Sequence, residues 1–424
     1  MDNRIKTIKA RQILDCKARP MLEVDLYTED GILGRGAAPT GTSVGMYEAF
    51  ILRDGGTEYH GLSVHKAETV VEKVIAPALI GMVVDDLAAI DQRMLEIDGT
   101  KDKHVLGSNS TYSVSIAALR AAAASHKQHV YQYLAQSPLP TIPLPTFNVL
   151  NGGCNNGVTQ AFNEFILAPY KANSVFQAME IAVAVYQRLE TMLAGIRGVC
   201  RPDLGSSYGW AAPSNDPEEV LGLLAQAVAD CGYADKVCYC LDCASSEMYD
   251  GQDNTYELKG RRVGADELIT YARQLTEKYD LLFIEDLLDE NDWDGFVRAH
   301  KILTRTNLIG DDLIASNVGR LGKAYELNAI DGFILKPNQV GTITEALATH
   351  DFATRKGLVS IPSGRSGGTV GDIIVDLSLG LLSPFSKNGA PRSGERLDKM
   401  NTLLRAATEN PSSTMADLSR YIRF

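Results

Sequence analysis

The chain has 424 residues, 45% of them hydrophobic and 22% charged, which is ordinary globular composition and too long for one average domain. A formal net charge of −12 argues against nucleic acid or an anionic membrane as partner, while a small anionic substrate stays open because the local field decides its binding. No apolar run approaches a membrane span, the start MDNRIKTIKARQIL lacks the apolar stretch of a secretory leader, and seven cysteines, an odd number, point to a reducing compartment, so a cytoplasmic protein is expected. Cys238, Cys240 and Cys243 lack the paired spacing of zinc sites and read as buried thiols on opposite faces of a strand.

Taken in chain order, IKTIKARQIL, MLEVDLYTE and the DGILGRG turn predict a small antiparallel sheet within residues 1–70. Residues 63–136 read as helices, with SVSIAALRAAAASHKQHVYQYL the clearest. Strands followed by helices describe an α+β unit. SPLPTIPLP, residues 137–145, carries four prolines in nine positions and marks a boundary, giving an α+β domain over 1–136 and a second domain over 137–424. Long helices are expected at 174–196 and 217–231, the second opened by Asp216 as cap and Pro217 in the first turn.

The second half carries short apolar runs that each end in a polar residue: VCYCLD at Asp242, LLFIE at Glu285, LIGD at Asp311, FILK at Lys336, LVSIPS before Arg365 and PFSK at Lys387. Amphipathic stretches such as ADELITYARQLTEKYD, 265–280, separate most of them. Strand and helix at that pitch predict a (β/α) barrel, in which C-terminal strand ends converge on one mouth. Three carboxylates gathered there require a cation, and oxygen ligands suit a hard one such as Mg²⁺. A lysine beside such an ion can serve as a base, so the pattern suggests metal-assisted proton abstraction next to a carboxylate.

The segments RQILDCKARPMLEVDL, APTGTSVGMYEAFILRDG, FNVLNGG, NEFILAP, LDCASSE, IEDLLDENDW, GDDL, LKPNQVGTITEA, GRSG and GAPRSGERLDKMNTLLR resemble the enolase family, in family order across nearly the whole chain. The resemblance implies an α/β fold, an enolase-type (β/α) barrel preceded by an α+β capping domain. The first part of that barrel is irregular, with two strands and two helices before the regular units. It implies Asp242, Glu285 and Asp311 as Mg²⁺ ligands, and Ser43, in a mobile lid flanked by Gly41 and Gly45, as reaching a second Mg²⁺. Lys336 matches the family's base and Lys387 the lysine that binds the substrate carboxylate. Arg365 and Ser366 match the phosphate site, and Glu164 matches the first of two acids near the leaving hydroxyl. Arg11, Glu23 and Arg405 match regions that pair in a homodimer.

The departures from the family gather in one place. Ser207 stands where the family has its second acid. Gly364 and Asn155 stand where it has histidines, and Asn163 replaces a glutamine. Asn155 and Asn163 remain substrate-facing positions. Tyr208 and Trp210 are larger than the usual residues, so a reshaped pocket is expected. Tyr208 is read as filling vacated space, with a role as substitute acid the alternative. A positioned acid is worth about 10²–10⁴ in rate. The expected reaction is therefore Mg²⁺-dependent α-proton abstraction from a small carboxylate bearing phosphate or phosphonate, giving an enolpyruvate by β-elimination, with little 2-phosphoglycerate dehydration. Two alternatives remain: transfer of a carboxyphosphono group to an enolpyruvate oxygen, as in carboxyphosphonoenolpyruvate synthase of phosphonate biosynthesis, or a non-catalytic binding protein.

Overall fold

The structure is a computed structural model and describes residues 2–41, 44–135, 138–153 and 162–424. The boundary expected between residues 136 and 137 lies outside the described residues. Three antiparallel strands open the chain: β1 (Ile5–Leu14), β2 (Pro20–Thr28) and β3 (Leu33–Ala37), in that spatial order. One face carries charge, with Arg11 and Arg35 both bonded to Asp25 and Arg11 also to Glu23. The other packs on the helix Ser108–Ser125 through alternate residues of β3. A Cβ on Gly34 would lie 1.9 Å from the Ala117 carbonyl oxygen, and one on Gly36 would lie 2.1 Å from that of Ser113. The sheet and helix touch backbone to backbone there, which only glycine permits.

The helix expected to run on through SHKQH instead stops at Ser125 and a second begins at Val130. Lys127 turns left-handed, at φ 56°, and the Gln128 N–H closes the helix on the Ala123 carbonyl at 3.0 Å. The segment has neither Gly nor Asn, the usual marks of this ending, so the apolar period alone ran past it.

Among the described residues after this domain, eight strands form a barrel. These are β4 (Leu144–Asn151), β5 (Glu164–Ala168), β6 (Cys238–Asp242), β7 (Leu281–Glu285), β8 (Asn307–Gly310), β9 (Gly332–Leu335), β10 (Val359–Pro362) and β11 (Phe385–Lys387). β5 runs antiparallel to both neighbours, β4 and β6. The remaining pairs are parallel, and a bridge from Ser363 to Lys387 joins β10 to β11 and closes the ring. Between β5 and β6 come two consecutive helices, Val175–Arg197 and Pro217–Asp230, capped by the side chains of Ser174 and Asp216. The architecture is the enolase-type barrel with its capping domain.

Alternate strand residues point inward or toward the helices. Ile166, Cys238, Cys240, Phe283, Ile309, Ile334, Ile361 and Phe385 fill the interior, while Leu167, Leu241, Ile284, Leu308 and Phe333 meet the helical layer. Cys238 and Cys240, two residues apart, therefore share the inward face rather than alternating. Cys243, beyond the strand end, packs in the outer layer, and all three are buried free thiols. The C-terminal tail closes the far end of the barrel. Leu418, Tyr421, Ile422 and Phe424 pack on its interior residues, and the Tyr421 ring meets Phe385 edge to face at 5.0 Å. Among the described residues no helix is long and apolar enough to cross a membrane.

Candidate active site

The open mouth of the barrel holds a cavity of about 320 Å³, lined by residues from nearly every strand end and by the capping-domain loop at Gly41 and Glu48. The reversed direction of β5 matters here. Its first residue, Glu164, pairs in register with Asn151 and Asp242, the last residues of β4 and β6, so Glu164 sits at the same mouth. Asp242, Glu285 and Lys387 end their strands, Asp311 and Lys336 follow theirs directly, and Arg365 lies just past β10.

Among the described residues seven acids and five cations line the mouth, and several of them pair directly. The Lys387 ammonium bonds Glu285 at 2.8 Å and Asp242 at 2.9 Å, and lies 3.1 Å from Glu164. Burial would pull its pKa down, but the charges of Asp242, Glu164 and Glu285 outweigh it and hold the lysine well above its ordinary value. Lys336 bonds Asp311, whose other oxygen accepts from Gln339 at 2.9 Å. Burial opposes the charge of Lys336 too, yet Asp311 keeps that pKa raised, and Lys336 in turn holds Asp311 below its usual range. Glu285 goes the other way: burial and the neighbouring Asp242 push it well up.

Asn148 donates to Glu164 at 3.1 Å, and Ser207 lines the cavity with Glu164. Asn163 reaches Asp242 at 3.4 Å. Arg365 forms a two-pronged pair with Glu48, at 2.8 and 2.9 Å, and both side chains are buried. Glu48 also accepts from the Gly45 N–H at 3.2 Å, which ties the expected lid loop to the expected phosphate site. Ser43 and Asn155 lie outside the described residues.

The donor set fits a hard divalent cation. Asp242 and Asp311 line the cavity, Glu285 is buried behind them on the same Lys387 as Asp242, and Glu285 Oε1 has no hydrogen-bond partner among the described residues. A second acidic group, Asp286, Asp311 and Asp312, has ligand atoms within 4.8 Å of one another. Asp286, however, adopts φ 45° immediately after β7 and spends both oxygens on the Asp311 and Asp312 N–H groups, each at 2.8 Å. Its role in this structure is to brace the loop that carries Asp311. Asp286 and Asp312 adjoin the residues singled out in the IEDLL and GDDL motifs, and pattern alone does not distinguish brace from ligand. Glu48, Gln339, Arg396 and Lys399 also reach the site without a local signal, since each arrives from another element.

Tyr208 and Trp210 do not line the cavity. The Tyr208 hydroxyl donates to the Cys16 carbonyl at 2.7 Å and its ring lies under the Arg396 guanidinium at 4.6 Å. Trp210 is fully buried against Tyr186, with ring centroids 4.9 Å apart. The expectation that these rings reshape the pocket is corrected: both pack behind it. Tyr208 holds a left-handed φ of 66°, a conformation that favours glycine, and its two contacts offset that strain. No histidine lines the cavity among the described residues.

Two family models match the chain: the enolase N-terminal domain over residues 5–134, and the enolase C-terminal TIM barrel domain over residues 140–417. The chain belongs to the enolase family. It is 38% identical to the enolase of Methanococcus vannielii over 426 aligned positions spanning 100% of both chains. The enolase of Methanococcus aeolicus is 37% identical, over 96% of each chain. That of Pyrococcus furiosus is 39% identical, over 95% of this chain and 94% of its own. These relatives bear the name of a carbon–oxygen lyase.

Proposed function

We propose that this enolase-family protein is a cytoplasmic, Mg²⁺-dependent enzyme that removes the proton α to the carboxylate of a small acid bearing phosphate or phosphonate. The product is an enolpyruvate formed by β-elimination, and classical 2-phosphoglycerate dehydration is slow. Lys336 is the base. Lys387 orients the substrate carboxylate, and Arg365 with Ser366 takes the phosphate. For Arg365 this means exchanging its pair with Glu48 for substrate oxygens, to which a guanidinium is equally suited. Asp242, Glu285 and Asp311 would hold one Mg²⁺, with Ser43 assigned to a second. Bound there, the ions supply positive charge beside the substrate carboxylate, which is what lets so weak a carbon acid ionise near neutral pH. Glu164, with Asn163 beside Asp242, is placed to move a proton on the side where the substituent departs.

One observation carries the reading. Asp242, Asp311, Lys336 and Lys387 line one cavity with Glu164, while Ser207 lines it where the resemblance puts a second acid. Gly364 likewise offers no side chain. Proton abstraction is therefore equipped, while among the described residues Glu164 has no second acid to help it protonate a departing hydroxide. The same observation favours a second reading, transfer of a carboxyphosphono group to an enolpyruvate oxygen, because that reaction expels no hydroxide.

The test uses 2-phosphoglycerate with Mg²⁺ in deuterated water. Deuterium should enter C2 of the recovered substrate faster than phosphoenolpyruvate forms. Dehydration at a typical enzymatic rate, on the order of 10 per second, would show a plain enolase. No exchange and no dehydration would overturn α-proton abstraction from 2-phosphoglycerate at this site.

A further inference from the structure

Lys399 lies on the helix Gly394–Glu409, lines the cavity, and is only 3% exposed. Its ammonium makes no hydrogen bond among the described residues. Its ionic neighbour is Asp372 Oδ2 at 3.6 Å, an oxygen that is itself buried without a hydrogen-bond partner. The other cations of the cavity wall are engaged: Lys336 with Asp311, Lys387 with three carboxylates, Arg396 with Glu395 and the Ser366 carbonyl. A buried ammonium without a good partner is costly unless an anion reaches it.

Gly364 is what opens Lys399 to the cavity. A Cβ at that position would stand 3.3 Å from both Cε and Nζ of Lys399, so any side chain there would cover the charge. Gly364 is not among the left-handed glycines of the chain, so its backbone does not demand glycine. The residue makes space. Lys399 touches none of the carboxylates that hold Lys387, so the two lysines serve separate anions. One ammonium, held only by the long ion pair to Asp372, suits a carboxylate better than a phosphate, which takes several donors.

We infer that Lys399, uncovered by Gly364, binds a further carboxylate of the substrate, beyond the carboxylate and the phosphate or phosphonate already assigned. This rests on the proposed reading of the site and narrows it to a substrate with one more acidic arm than 2-phosphoglycerate.

The test is calorimetry of the Mg²⁺-loaded protein with three ligands: phosphonoacetate, 2-phosphonosuccinate and 2-phosphonobutanoate. The last two add to the first a charged carboxymethyl arm or a neutral ethyl arm. The charged arm should win by about tenfold or more, the worth of one charge-assisted hydrogen bond. In Lys399→Met the ratio should fall near one, with phosphonoacetate bound as before, and Lys399→Arg should restore most of it. Gly364→Ala should reduce the ratio with Lys399 still present, and serves if Lys399→Met does not fold. A ratio near one in the unmodified protein, or an unchanged ratio in these variants, overturns the inference while leaving the proposed function standing. Failure of phosphonoacetate to bind at all overturns both.

Discussion

Lys336 and Lys387 stand in one mouth but in different company. Lys387 is shared among three carboxylates and has no freedom to move a proton without leaving several charges unpaired. Lys336 answers mainly to Asp311, which Gln339 also holds, so a change in that one partner alters the lysine. This asymmetry suits one lysine to positioning and the other to proton transfer. Replacing Lys336 by Ala should slow deuterium entry at C2 of 2-phosphoglycerate by about 10²–10⁴-fold, the usual worth of a positioned base. NMR in deuterated water measures this, and calorimetry should show ligand affinity changed only a few-fold. Exchange at the original rate would mean another group is the base.

At the scale of elements, two of the contacts that hold the capping domain together and to the barrel are open to direct test. Asp91, on the helix Leu87–Asp98, is buried and accepts from the Ser115 hydroxyl at 2.9 Å and from the Thr344 N–H of a barrel helix at 3.0 Å. Burial pushes its pKa up to about 6. An acid whose pKa rises on folding binds its proton more tightly in the folded state. The folded protein therefore loses stability as pH rises from about 4 to about 6, and the full cost is present above that window. Asp91→Asn keeps the acceptor without the charge. It should stabilise the protein at pH 7.5 by about 3 kcal/mol, seen as a higher melting temperature, and by only about 1 kcal/mol at pH 4.5. Equal effects at both pH values would show that ionisation of Asp91 is not the source.

The second contact is the backbone approach of β3 to the helix Ser108–Ser125. Ala is normally a mild replacement in a strand, but at Gly34 its methyl would overlap the Ala117 carbonyl and force strand and helix apart. Gly34→Ala should cost about 3 kcal/mol, seen as a lower denaturant midpoint. The same change at Gly31, where a Cβ meets nothing within 4 Å, isolates the effect of clash from the strain of its left-handed φ.

The molecule as a whole presents its charged sheet face outward. Arg11 bonds its own Glu23 and Asp25 yet stays 40% exposed in its side chain, and Arg405 is 64% exposed. We propose that these charges meet a second copy across a two-fold axis. Light scattering at micromolar concentration should give twice the chain mass of 46.0 kDa, and Arg405→Glu should shift the population toward the single chain. A single-chain mass for the unmodified protein would end this proposal.

Much of the architecture and part of the chemistry could be read from local pattern. Strand ends carry a periodic signal, an apolar run followed by a polar residue, because the barrel interior is dry and its mouth is wet. Asp242, Glu285, Asp311, Lys336 and Lys387 were legible for that reason. Caps such as Asp216 were legible because they act within a few residues. The break after Ser125 was not, since a left-handed Lys127 leaves no compositional trace. Nor was the packing of Tyr208 and Trp210 behind the cavity, because side-chain size does not say which way a ring points. The amino-acid sequence by itself determined family, barrel architecture and which acids and lysines end its strands. Tertiary structure alone decided which of those charges pair, that Asp286 braces a loop, that Glu48 holds Arg365, and that Gly364 uncovers Lys399. These are contacts between residues dozens to hundreds of positions apart, and their distances are set by how strands and helices pack, not by any neighbour along the chain.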